Sequence, residues 1–437
     1  MYESLSQYVR EIRLPRFVAV EQSLDGRHIP VERLPLLLRE KLAAPGCGER
    51  IRSGDRVAIT CGSRGIRNLA LILRTIVEFC KEQGADPFII PAMGSHGGAT
   101  AAGQEEVLAG LGVTAATMDC PIRATMETVV IGQTEAGQEV YLDAYAAAAD
   151  RIIVVNRIKP HTSFRGPYES GLMKMIAIGL GKQKGADACH GAGYKYMAAR
   201  IPAFATVTLR EAPIVFGVGI LENAREETAE LQVIPAEQIA AAEPELLKKA
   251  AALLPRLPFP SCDVLVVDEI GKDISGGGMD PNVSGAFSTP YASGGIRAQM
   301  RCILALTEKT HGSAYGMGAA DVVSKRLFEA VDFEKTYPNS ITSTALSFSK
   351  LPLVMPNDRD AIALCVKSCT DIDKENPRII RIHNTLTLDR FWISEAMVPE
   401  AIAIPGVRVV GEPAFLGFDE GGNLAGRRDD ERRRVYV

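Results

Sequence analysis

No apolar run in this chain approaches the roughly 18–20 residues that cross a bilayer, so a membrane-spanning helix is not expected. The first stretch, MYESLSQYVREIRLPRF, is polar and amphipathic and lacks the apolar centre of a signal peptide. Basic excess is missing as well. The formal charge over 437 residues is −4, and without a basic footprint nucleic acid is not an expected partner. Cysteines number nine, an odd count with no CxxC pair, which argues against both a disulfide frame and a zinc knuckle. Cys365 and Cys369, four apart, read as neighbours on a helix face or at a strand–turn. There is no internal repeat and no low-complexity segment. The final run, GRRDDERRRVYV, mixes both charge signs and reads as a solvated tail. These absences leave a reduced, cytoplasmic, enzyme-sized protein as the expectation.

What is present suits a packed core. Hydrophobic residues make up 46% and charged residues 23%, and the length allows two or three domains at about 150 residues each. VERLPLLLREKLAAPG reads as a helix. DRVAITC is a short apolar strand, and RNLALILRTIVEFCKEQG has helical spacing and stops on Gly84. PFIIPAM, the turn GSHGGAT and AGQEEVLAGLG repeat that order. VVIGQTEAGQEVYL suggests a hairpin around Gly137, and RIIVVNRI is a buried strand. Alternating strands and helices predict an α/β fold with parallel-rich sheets covered on both faces. The proline-rich PRLPFPS marks a link, so the expected division is an N-terminal α/β domain over 1–258 and a C-terminal α/β domain over 262–400. Residues 401–437 are expected to return to the first domain.

In such a fold, ligands gather beyond the carboxyl ends of the strands. Arg64, His96 and His161 each follow a predicted strand by a few residues, so three distant polar side chains are expected on one rim. Between His161 and His190 lies Lys174, inside the apolar run LMKMIAIGLG. Burying an ammonium costs several kcal/mol unless it is paired or altered. Lys174 is therefore either a snorkelling stem or a residue with covalent work. Histidine suits metal ligation and general base work, and an arginine fork suits a carboxylate. The glycine-rich turns match neither the Walker spacing nor GxGxxG and can be plain tight turns; alternatively GLGKQKG, with Lys182 and Lys184, could accept a phosphate.

In order, Arg64, His96 in GSHGGAT, His161 in KPHT, Lys174 in GLMKMIAIG, His190 in ACH and Lys272 in GKDI resemble the nickel-pincer nucleotide-dependent lactate racemase family. The most specific part is a lysine followed sixteen residues later by a histidine, with another histidine upstream. The resemblance implies two α/β domains with the active site in the cleft between them, and a racemase or epimerase that inverts C2 of a 2-hydroxy acid by hydride transfer. It implies a nickel-pincer nucleotide, a pyridinium-3-thioamide-5-thiocarboxylate mononucleotide, covalently on Lys174, with His190 as nickel ligand. His96 and His161 are implied as acid/bases, Arg64 and Lys272 as substrate contacts, and cofactor-synthesis proteins as partners. The chain has GSRGIRN where lactate-specific members carry a TRPTP-like stretch, and its GKDISGGGMDPN is more glycine-rich than theirs. A dicarboxylate or an aldonate is therefore as open as lactate. Two other readings stand beside this one: a zinc hydrolase using His96, His161 and His190, and an idle homologue that binds a hydroxy acid without turnover.

Overall fold

The computed structural model describes residues 3–343 and 345–425. The chain forms two compact units, residues 25–254 and residues 1–24 with 255–437. Each is described by itself.

The first strand, β1 (Phe17–Gln22), belongs with the C-terminal half. In the unit from Asp25 to Leu254, β2 (Arg56–Cys61), β3 (Asp86–Pro91), β4 (Thr128–Gln133), β5 (Glu139–Asp143), β6 (Arg151–Arg157), β7 (Ile214–Glu222) and β8 (Thr228–Pro235) follow in order. Five make one sheet in the order β3-β2-β6-β7-β8, parallel except for β8, and β4 and β5 form the expected hairpin. Alternation along the strands explains the layering, because successive side chains leave opposite faces. Val57, Ile59, Ile153 and Val155 meet Leu38, Ile72, Leu73 and Ile76 on one face. Ala58, Ile152 and Val154 meet Leu172, Ile176 and Phe204 on the other. Leu73 is fully buried, and truncating such a leucine to alanine costs about 2–5 kcal/mol.

The other unit holds β9 (Ser261–Val267), β10 (Arg297–Ile303), β11 (Val322–Ser324), β12 (Leu353–Met355), β13 (Ile379–Ile382), β14 (Arg390–Ser394) and β15 (Val407–Ala414). With β1 they form an eight-stranded sheet in the order β12-β11-β10-β9-β13-β14-β1-β15. Its first five strands are parallel and its last three are joined by antiparallel pairing. Both units are thus α/β with parallel-rich sheets.

Three expectations change. The described part of residues 401–437 does not return to the first domain: β15 pairs with β1 in the large sheet, and it is the N-terminal strand that crosses over. The division falls between Leu254 and Pro255, just before the proline-rich link. The run AIAIPGVRVVG, whose apolar residues read as strand throughout, is helix as far as Ala403 and strand only from Val407, because Gly406 turns with a positive φ of 78°. The charged tail after Ala425 lies outside the described residues.

Candidate functional site

Strands β3, β2 and β6 are adjacent and parallel, so the segments leaving their carboxyl ends share one rim. Arg64 lies three residues past β2, His96 five past β3 and His161 four past β6. Each is placed by a different local device.

Arg64 is exposed and makes no hydrogen bond or ion pair among the described residues. Its pKa is held below the arginine norm by desolvation and then by Arg157. Arg157 itself is ion-paired to Glu222, so the unmatched charge on the rim belongs to Arg64. Next to it, Ser63 Oγ hydrogen-bonds His96 Nδ1. The His96 turn is tight because Gly97 adopts φ 66°, where a Cβ would stand 2.6 Å from the Gln104 nitrogen. Gln104 is fully buried and donates to the carbonyls of Gly94 (2.9 Å) and His96 (3.2 Å), which fixes the turn from within. His96 is pushed down to about 4, by desolvation first and then by Arg64, Lys174 and His190. Its exposure on the rim lets solvent screen part of the charge effects.

His161 sits in a loop closed at its base by Lys159 and Ser170, which pair as an antiparallel bridge. Glu169, nearly buried, organises the loop interior: it accepts from the backbone N–H groups of His161 (2.7 Å) and Gly166 (3.2 Å) and from Arg165 (3.2 Å). Burial raises the Glu169 pKa, and those hydrogen bonds oppose the rise. His161 Nδ1 accepts from the Ser163 N–H at 3.0 Å, and Nε2 lies 2.6 Å from Lys174 Nζ. The imidazole is held well below its usual pKa by desolvation, then by Lys174, His190, Arg165 and Lys159.

Lys174 ends the short helix Leu172–Lys174, and a π-helix, Met175–Gly179, follows directly. Leu180 N donates to Met175 O five residues back (3.0 Å), the widened turn that recurs at functional sites. Two groups clamp the start of this helix. Asn156, on β6, donates to Gly171 O (2.8 Å), and the buried Glu243 accepts from Met173 N (2.8 Å). A Cβ at position 171 would lie 2.2 Å from Glu243 Oε1, so the carboxylate packs directly on Gly171. Lys174 is half-buried, its amine meets His161 with no carboxylate paired to it among the described residues, and its pKa is lowered to about 8. Desolvation is the main cause and Arg64 the second, while Cys189 and Glu169 act weakly the other way.

His190 ends the helix Lys182–His190. Its Nδ1 lies 2.8 Å from Ala186 O, and since a carbonyl only accepts, Nδ1 carries the proton and Nε2 keeps its lone pair. Tyr194 lies between the two histidines, its ring 6.3 Å from His161 and 6.4 Å from His190. The mutual influence of Arg64, His96, His161, Lys174 and His190 brings five sequence-predicted residues into one electrostatic cluster.

The structure also places the other candidate residues. Lys182 is not a phosphate contact: it is fully buried, ion-paired to Asp143 at 2.9 Å, and donates to Pro91 O (2.5 Å) and Gln104 Oε1 (3.1 Å). It is a strut that ties β3 and Gln104, and hence the His96 turn, to the helix ahead of His190. Lys184 is exposed. Lys272 belongs to the other unit, in a turn after β9 where Gly271 N donates to Gly278 O (2.9 Å). The three-histidine zinc site is not formed, since among the described residues no group of three or more His, Cys, Asp or Glu could hold a metal ion. All nine cysteines are free and buried, and no helix among the described residues is long and apolar enough to cross a membrane.

Residues 21–200, which contain this whole cluster, match the model of the lactate racemase N-terminal domain. Over that stretch the chain is similar to the lactate racemase family. One solved structure, the lactate racemase apoprotein from Thermoanaerobacterium thermosaccharolyticum, is similar over 84% of this chain and 99% of that one, at 13% identity and a TM-score of 0.49. No curated protein matches the sequence.

Sequence reasoning missed the supporting residues Ser63, Gln104, Asn156, Glu169 and Glu243. None lies in a motif, and only Glu169 has a local clue, as the acid closing the KPHTSFRGPYES loop.

Proposed function

We propose that this protein is a racemase or epimerase that inverts C2 of a 2-hydroxy acid with the help of a nickel-pincer nucleotide joined to Lys174. The observation that supports it most is the pairing of an amine that lacks any carboxylate partner with a histidine whose Nε2 lone pair is left free.

The residues present fit that group. An acylated Lys174 carries no charge, which removes both the desolvation cost and the repulsion from Arg64. His190, with Nδ1–H held by a backbone carbonyl, has the second-shell arrangement usual for an imidazole metal ligand. When bound, the group would supply a hydride acceptor at C2. The chain's own residues do the rest. Arg64, free of partners, holds the substrate carboxylate through its planar fork. His96 and His161 are kept neutral near pH 7 by their depressed pKa values, so each can accept the C2 hydroxyl proton and return it. Two bases are needed because the hydroxyl points to a different side in each enantiomer. Acylation makes Lys174 neutral at every pH, so the charge that depresses both histidines whenever the amine is protonated is gone, which makes them better bases.

The test is intact mass and metal content of protein from a host that makes the cofactor, followed by 2-hydroxy acids, aldonates and dicarboxylates included, screened for loss of optical rotation. Added mass on Lys174, bound nickel and loss of rotation are expected. An unmodified Lys174 in an active protein would refute the reading, and binding without exchange of the C2 hydrogen would leave an idle homologue.

A further inference from the structure

Histidine's hydrogen-bond inventory decides the state of Lys174. His161 Nδ1 faces the backbone N–H of Ser163 at 3.0 Å. A backbone N–H can only donate, so Nδ1 must be bare, and in a neutral imidazole the single proton then sits on Nε2. Nε2 lies 2.6 Å from Lys174 Nζ. An ammonium has three donors and no acceptor, and set against Nε2–H it would leave two donors facing each other. A neutral amine has the lone pair that completes the bond.

We infer that, in the unmodified chain, His161 donates from Nε2 to a neutral Lys174 amine and so presents Lys174 as a free base ready for acylation, with Ser163 N–H setting the tautomer. The surroundings agree. The charged and titratable groups around Lys174 and its partner are Arg64, His96, Lys159, His161, Arg165, Glu169, Cys189 and His190. Of the two that could favour an ammonium, Glu169 is spent on its loop and Cys189 is a buried thiol whose own pKa is raised to about 11. The inference deepens the tether role proposed above and rests on that reading for its purpose only. It gives His161 a task before turnover: keeping the attachment point nucleophilic.

The experiment uses the full chain expressed without cofactor-producing enzymes and N-hydroxysuccinimidyl acetate as probe. The Nζ lone pair forms the N–C bond, the bond from the acyl carbon to the N-hydroxysuccinimide oxygen breaks with its electron pair, and the surplus proton on nitrogen passes to solvent. Peptide mass spectrometry follows acetylation of Lys174 and of exposed Lys184 across pH, each normalised to its own plateau. Lys174 should reach half its plateau near pH 8 and Lys184 near the ordinary value of about 10.4. His161→Gln offers an amide oxygen as acceptor and should move the Lys174 midpoint up by about one unit, a tenfold lower relative rate at pH 7. A midpoint shared with Lys184, or one that His161→Gln leaves in place, overturns the inference. Nitrogen-15 shifts of histidine-labelled wild-type protein, taken above the Lys174 midpoint, test it without a variant: His161 should show a bare Nδ1 and a protonated Nε2, and the opposite tautomer overturns it. Neither measurement reads nickel or turnover, so this inference and the proposed activity fail separately.

Discussion

Lys174 and Lys182 stand eight residues apart, on either side of the turn at Leu180 and Gly181, and the protein treats them in opposite ways. Lys182 is fully buried, yet its ammonium is matched by Asp143, Pro91 O and Gln104. Lys174 keeps some exposure, yet among the described residues it meets an imidazole, feels the charge of Arg64 and has no carboxylate paired to it. Desolvation lowers both pKa values, but only Lys182 has a carboxylate pulling hard the other way. A buried lysine by itself therefore signals nothing. What separates the structural lysine from the reactive one is the company each keeps.

The sharpest way to break this contrast is to remove each lysine in turn. Lys174→Ala should abolish cofactor loading and turnover while the fold survives, read as absent added mass with an unchanged melting temperature. Next in size come the bases. His96→Ala or His161→Ala should leave turnover about 10²–10⁴-fold lower, the usual worth of a placed general base. In His96→Ala, which does not touch Lys174, nickel content should be unchanged. Normal turnover in either variant would remove the two-base mechanism.

On the Lys182 side the loss should appear as stability. Asp143→Asn leaves a buried ammonium without its counter-charge, and breaking a buried pair from one side costs about 3–5 kcal/mol. The double variant Asp143→Asn/Lys182→Met should recover much of that in chemical denaturation. If Asp143→Asn is neutral, Lys182 is not the strut described above. Its destabilisation should also loosen the His96 turn, since Gln104 joins the two.

The contrast also shows how far the sequence reaches. Strand ends followed by Arg64, His96 and His161 were legible because a short apolar run and a glycine-rich turn are local signals. Lys174 was legible as an oddity in an apolar run, and Lys182, in a polar one, looked like the exposed member. The structure reverses the exposure of the pair: Asp143, whose side chain caps the next short helix and holds Lys182, lies in a hairpin strand that no local pattern connects to it. Glu243 was hidden for the same reason, as one acid in an alanine-rich helix. The crossing of β1 into the far sheet was likewise invisible, since strand partners are set by tertiary packing and six residues carry no record of them.

Glu243 gives the smallest effect and the finest test of how Lys174 is held. Its carboxyl is fully buried, Oε2 accepts from Met173 N, Oε1 has no hydrogen-bond partner, and burial pushes its pKa up to about 7. The sign follows from proton counts. Between the ordinary carboxyl value of 4.5 and about 7, the folded chain holds a proton that the unfolded chain has released. Glu243 therefore makes stability fall as pH rises through that window, by on the order of 3 kcal/mol in full. Glu243→Gln keeps an acceptor for Met173 N but cannot ionise. Its stability should exceed that of the wild type above pH 7 and converge with it below pH 4.5, in melts taken across that range. Because the carboxyl holds the backbone just ahead of Lys174 and not its amine, the Lys174 acylation midpoint should stay near 8 in this variant. A midpoint that moved with Glu243 would mean that the amine's state is set through the helix start and not through His161.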